Sequence, residues 1–146
     1  MAEQRALRAR LGAPMPEAPT MVLISSDAAH HIREFFSTVA VRQGDGRWTL
    51  DTVGEESGAL LRMEPKPLPA EHKTLSGAAA RRLDRLLGDR CLDAEPPTQL
   101  HAREIGVGAM FHTMEIVTPR RHRVVAWTLR LRGTNGAIAD LVIGRE

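Results

Sequence analysis

The chain has little of what usually announces a function. A single cysteine, Cys91, stands in 146 residues. No intramolecular disulfide can form, which points away from a disulfide-stapled secreted domain. Tyrosine is absent, and there are only three Phe and two Trp. A core must therefore rest on Leu, Val, Ile, Met and Ala, and platforms for stacking nucleic-acid bases are scarce. Lys66 and Lys73 are the only lysines. No run approaches the ~18 consecutive apolar residues of a membrane-spanning helix. Residues 1–10 lack the apolar centre of a signal peptide. A cytoplasmic location is expected, with a periplasmic one as the alternative if a leader was trimmed.

What is present is ordinary in bulk. Apolar residues make up 42% and charged residues 26% of the chain, with a net charge of +2, as in a folded globular protein. The length favours one domain with one core. The positive charge is almost all arginine. Guanidinium groups suit phosphate and carboxylate recognition, but a bacterial-like, G- and C-rich genome enriches arginine too. Residues 1–20 read as an N-terminal arm with a proline-rich linker, carrying Pro14, Pro16 and Pro19. Residues 21–146 read as the folded domain.

Residues 123–132 alternate strictly. Val125, Trp127, Leu129 and Leu131 are bulky and apolar, whereas Val124, Ala126, Thr128, Arg130 and Arg132 are smaller or charged. A period of two predicts a strand with one dry face and one basic face. Gly133-Thr134-Asn135-Gly136 then reads as a turn, and the apolar run 137–143 as a returning strand, which makes a hairpin. Strands are also expected at 21–24, from 35 to 42, at 47–53 after the turn Gly44-Asp45-Gly46, at 59–63 and at 111–117. Pro65, Pro67 and Pro69 argue against regular pairing of the segment that holds them.

Residues 74–88 form the clearest helix pattern. Ser76 is the N-cap candidate. Ala79, Ala80, Leu83, Leu86 and Leu87 fall in one arc, opposite Arg81, Arg82, Asp84 and Arg85. Residues 2–11 have helix-favouring composition but are too short to be stable alone. The expected fold is α+β. It consists of a single domain with a twisted antiparallel sheet of about six strands in meander or hairpin order, and one amphipathic helix on one face. A partly closed barrel is the rival.

No catalytic constellation emerges. Ser25, Ser26, Ser37, Ser57 and Ser76 lack a Gly-x-Ser-x-Gly elbow. A Cys91 nucleophile would need a histidine such as His101 or His112 beside it, and a buried apolar role for Cys91 is the plainer expectation. His30, His31 and Glu34, with or without His112, lack the spacing of a zinc site, so no metal or cofactor is expected. Glu55-Glu56, and Glu115 with Asp140, show no pair geometry. Gly44-Asp45-Gly46 and Gly106-Val107-Gly108 are not phosphate-binding fingerprints.

The one concentrated feature is basic. Arg120, Arg121, Arg123, Arg130 and Arg132 lie within thirteen residues, and Arg130 and Arg132 would share a strand face. The expected function is a non-catalytic interaction or accessory domain, with these arginines meeting an acidic protein partner. One alternative is a small-molecule-binding domain with an apolar pocket between sheet and helix. Another is nucleic-acid binding on the basic face, against which stands the shortage of aromatic residues. Homo-oligomerisation is a further expectation without a residue attached to it.

Overall fold

The structure, a computed structural model, describes residues 2–29, 32–58, 63–100 and 110–144. Four helices and seven strands occur among them. Their order is α1 (Ala2–Arg10), β1 (Met21–Ala29), β2 (Arg33–Arg42), β3 (Trp48–Gly58), β4 (Met63–Thr74), α2 (Gly77–Gly88), α3 (Cys91–Ala94), β5 (Thr98–Gln99), β6 (Met110–Thr118), β7 (Arg121–Thr128) and α4 (Gly133–Ile143). The strands form one mixed sheet in the order β4-β3-β2-β1-β6-β7-β5. All neighbours are antiparallel except β5 and β7, which run parallel. The fold is α+β, as expected, but the sheet has seven strands and is mixed where about six antiparallel strands were expected, and four described helices stand in place of one. The sheet is open, with β4 and β5 at its edges, so it is not the rival barrel.

Alternation along the strands sorts the sheet into two faces. Val22, Ile24, Ala40, Trp48, Leu50, Met114, Ile116, Val125 and Trp127 lie on one face. They share a core with Leu83 and Leu87 of α2 and Ile138, Leu141 and Val142 of α4. Ser76 caps α2 by accepting from the Ala79 N–H at 3.3 Å, and Leu83 is fully buried. Asp84 turns back to the sheet, accepting from Trp48 Nε1 at 3.0 Å and Arg42 Nε at 2.9 Å. These two bonds fix α2 over β2 and β3.

The opposite face carries α1. Leu7 is buried there, Gln4 donates to Ser37 Oγ at 2.9 Å, and the buried Arg8 guanidinium pairs with Asp51. Arg10 meets Glu55 at 2.6 Å and Glu3 meets Arg33 at 2.8 Å. The N-terminal segment is thus a helix held to the sheet by packing and ion pairs, which supplies the tertiary support that so short a helix requires.

Four expectations change. The hairpin built on 123–132 and 137–143 does not form: β7 ends at Thr128, its partner is β6, and 133–143 is a helix. Leu129 adopts φ 61°, a left-handed conformation that stops the strand before Arg130. Asn135, Ile138, Ala139 and Val142 are all buried. Their spacing of three and four fits a helix, and a continuous apolar run of this length is ambiguous by periodicity alone. The strand expected at 21–24 runs on through Ser25, Ser26 and Asp27 to Ala29. The strand expected at 47–53 likewise continues, through Gly54 to Gly58. Pro65, Pro67 and Pro69 sit within β4, where an edge position removes the need for donors on one side. The strand expected at 59–63 falls almost wholly outside the described residues.

The turn into α4 is tightly built. Gly133 takes φ 72°. A Cβ on Gly136 would lie 2.4 Å from the Leu131 carbonyl oxygen. The Glu95 carboxylate accepts from the backbone N–H groups of Thr134 and Asn135. It thereby satisfies donors that a helix start leaves open and places negative charge at the positive end of the helix. Two consequences can be measured. Leu83→Ala should lower unfolding free energy by about 2–5 kcal/mol in urea titrations, the usual range for core truncation. Glu95→Gln should cost about 1–2 kcal/mol through the weakened cap, with m-values unchanged in both cases.

Candidate functional site

Strand register aligns side chains of the helix-bearing face into rows across the sheet. One row runs Leu50, Ala40, Val22, Ile116, and the next Thr52, Thr38, Ile24, Met114, Val125. The third runs Gly54, Phe36, Ser26, His112, Trp127. Along the strands the rows pass from wholly apolar to mixed. Helices α2 and α4 cover the apolar end. At the mixed end a cleft of about 690 Å³ opens between the sheet, the first turn of α2 and the last turn of α4.

The third row forms much of the cleft floor. Phe36 lies over Gly54, where a Cβ would come within 2.6 Å of its ring. This close approach explains the glycine inside a strand. Ser26 Oγ and His112 Nδ1 share a hydrogen bond of 2.7 Å. His112 is buried and stacks on Trp127, with ring centroids 4.9 Å apart and planes inclined by 19°. Thr38 and Thr52 bond to each other at 2.9 Å. Leu50, Leu75, Leu141, Val142 and Ile143 supply apolar walls, and Glu71 and Lys73 stand at the rim. Those two rim charges pair with each other at 2.7 Å. The cleft therefore offers apolar surface, a few fixed hydroxyl and imidazole groups, and little net charge.

Ser26 and His112 are both visible in the sequence as candidate residues. Nothing there brings them together, because they are 86 residues apart and meet only through the β1–β6 register. The remaining candidates scatter. Cys91 is exposed rather than buried, since it is Leu92 that points inward from the short helix α3. A hydrogen bond to the Asp89 carboxylate, and the nearby negative charge, push the Cys91 thiol above its ordinary pKa, opposite to what an activated nucleophile requires. Glu55 pairs with Arg10, Glu56 approaches Lys66, and Glu115 pairs with His122 at 2.6 Å. His30, His31, His101 and the glycines at 106 and 108 lie outside the described residues. Among the described residues no group of three His, Cys, Asp or Glu side chains is placed to hold a metal ion. No described helix is long and apolar enough to cross a membrane.

The arginine row is divided. The Arg121 guanidinium donates to both Asp93 oxygens at 2.8 and 2.7 Å, and to the carbonyls of Leu87 and Asp89. Arg123 donates to the Glu95 carbonyl. Both side chains tie β7 to the α2–α3 segment. Arg120 is exposed in the β6–β7 turn. Arg130 and Arg132 lie beyond the end of β7, so they do not share a strand face. They stand beside Arg82 of α2 around a separate groove.

Comparison with protein-family models and with curated proteins returned no match.

The hydrogen bond and charge of Arg121 hold the Asp93 carboxyl below its ordinary pKa. A depressed carboxyl contributes stability that is present above its unfolded-state pKa and is lost as pH falls through the lowered folded value. Arg121→Gln should return the Asp93 titration, followed by NMR, toward the usual carboxylate range. It should also cost about 1.5–3 kcal/mol, because two carbonyls lose a charged donor. Arg120→Gln should change stability by less than about 0.5 kcal/mol.

Proposed function

We propose that the protein is a non-catalytic binding domain that holds an uncharged, amphipathic small molecule in the cleft between the sheet and the ends of α2 and α4. The observation that carries this reading is the cleft itself. Its volume of about 690 Å³ falls within the ~300–1,000 Å³ range of small-molecule sites. Apolar walls with a few convergent polar groups are the usual composition of such sites. Ser26, His112, Thr38 and Thr52 would orient a hydroxyl or carbonyl of the ligand, while Leu50, Leu141 and Ile143 would receive its apolar body. The mutual pairing of Glu71 and Lys73 favours a neutral ligand, because neither charge is left to be matched. This is the pocket-based alternative among the sequence expectations, although its apolar lining is Leu50, Leu75 and Leu141 with Phe36, while Trp127 and Met114, on the same sheet face, are buried in the core beside it.

The neutral fluorophore N-phenyl-1-naphthylamine probes the cleft without engaging surface charge. It should bind saturably, with a blue-shifted emission. Ala79→Trp, at the cleft wall on the first turn of α2, should weaken binding at least about tenfold, equivalent to ~1.4 kcal/mol. Its circular dichroism should remain that of the wild type. Unchanged affinity in the folded variant would show that the probe sits elsewhere and would remove the support for this site.

A further inference from the structure

The groove beyond β7 is a second concave site, remote in sequence from the cleft floor. Its volume is about 730 Å³, and its lining includes Arg82, Arg130, Arg132, Leu129 and Asp140. The three guanidiniums come from two places: Arg82 from α2, and Arg130 and Arg132 from the turn that leads into α4. None of the three side chains has a hydrogen bond or ion pair within the described residues. Their neighbours in sequence behave otherwise, since Arg121 and Arg123 are engaged by Asp93, Glu95 and main-chain carbonyls.

The turn that presents Arg130 and Arg132 is held on several sides. The Arg132 N–H donates to Gln99 Oε1 at 3.3 Å, the Gly136 N–H to the Arg132 carbonyl at 3.2 Å, and Glu95 clasps the next two N–H groups. Leu129 is kept at φ 61° with its side chain half in solvent. A non-glycine residue in this conformation persists only where its surroundings over-determine it. The main chain under the two arginines is therefore preorganised. Because Glu95 already occupies the N-terminal donors of α4, attraction for an anion comes from the guanidiniums alone.

We propose that this groove binds a compact polyanion of phosphate chemistry, a di- or triphosphate group, free or carried on a nucleotide. Guanidinium forks match phosphate oxygens in pairs, in a geometry that an ammonium does not reproduce. Among the described lining residues, three such groups against the one carboxylate of Asp140 leave an excess of two positive charges facing the ligand. Among the described residues no aromatic side chain lines the groove, so the phosphates, and not a base, are the recognised part.

Isothermal titration of the purified chain with inorganic tripolyphosphate, at fixed ionic strength, tests the site. Saturable one-to-one binding is expected. Arg130→Gln with Arg132→Gln should weaken it at least about tenfold, Arg82→Gln should weaken it measurably, and Arg120→Gln should leave it unchanged. Circular dichroism of each variant reports whether the fold is kept. Equal affinity for tripolyphosphate and ATP would identify the phosphate chain as the whole determinant, and tighter binding of ATP would identify a nucleotide as its source. Both results support the site. The proposal is overturned if the double variant remains folded and binds as before, if Arg120→Gln weakens binding equally, or if citrate binds as tightly as tripolyphosphate. It is likewise overturned if a single-stranded oligonucleotide binds more tightly than either phosphate ligand.

Discussion

The length difference between strands and helices governs the architecture. The eleven residues of β3 and ten of β2 extend over about 33–36 Å at ~3.3 Å per residue. The twelve residues of α2 and eleven of α4 extend over only about 17–18 Å at 1.5 Å per residue. Helices of that length cannot cover strands of this one from end to end. The composition of the sheet follows suit: Val22, Ile24, Met114 and Ile116 lie under the helices, and Ser26, Thr38, Thr52 and His112 line the region they leave open. The cleft is thus a product of geometry as well as of side-chain choice. Its polar floor is satisfied internally by the Ser26–His112 and Thr38–Thr52 bonds, as exposure within a half-apolar concavity requires.

The corner where β7, α3 and α4 meet shows how a short connection is stabilised without a large core. Glu95 is reached by three separate interactions. Its carboxylate takes the N–H groups at the start of α4, and its carbonyl takes the Arg123 guanidinium. Arg121 performs the reciprocal task at the other end of the same segment, donating to the C-terminal carbonyl of Leu87 and to the Asp93 carboxylate. Cationic groups at a helix C-terminus and anionic groups at an N-terminus both follow the direction of the helix dipole. One row of arginines in the sequence thus separates into residues that close the fold and residues that are left facing solvent.

How much of this could be read in the sequence depended on whether the signal was local. Helix α2 was legible because Ala80, Leu83 and Leu87 recur at helical spacing behind a serine cap. The β2–β3 turn was legible because Gly44-Asp45-Gly46 interrupts two alternating runs. Helix α4 was not. Ile138 through Ile143 is nearly continuous in apolar character, and Gly133 and Gly136 imitate a hairpin turn, although Gly136 in fact serves the close approach of the helix to Leu131. The alternation of Leu129, Leu131, Arg130 and Arg132 continued on paper past the point where the left-handed Leu129 ends the strand. Cys91 was misplaced because its burial depended on which side of a four-residue helix faced inward. A pocket between sheet and helix was an alternative, but the residues that line the cleft were not legible, for a different reason. Its defining row, Gly54, Phe36, Ser26, His112 and Trp127, is drawn from five strands, and only their register makes it a row.

The prolines of β4 have a consequence for how molecules of this protein can meet. Pro65, Pro67 and Pro69 occupy alternate positions, and in a strand alternate residues direct their main-chain N–H groups toward the same side. The β3–β4 register shifts on either side of Pro67, between Thr52 and Gly54 and between Glu56 and Gly58, so the three are not spaced along one unbroken ladder, yet none of them has an N–H to give. A regular ladder of hydrogen bonds with another chain is interrupted along this stretch of the edge. Lys66, on the intervening set, adds charge beside it. At the far edge, β5 and the main-chain bond from Ala126 N–H to the Pro97 carbonyl cover part of β7. The proline-bearing half of β4 is accordingly a poor template for lateral addition of another strand, whereas stacking of faces remains open to the sheet there.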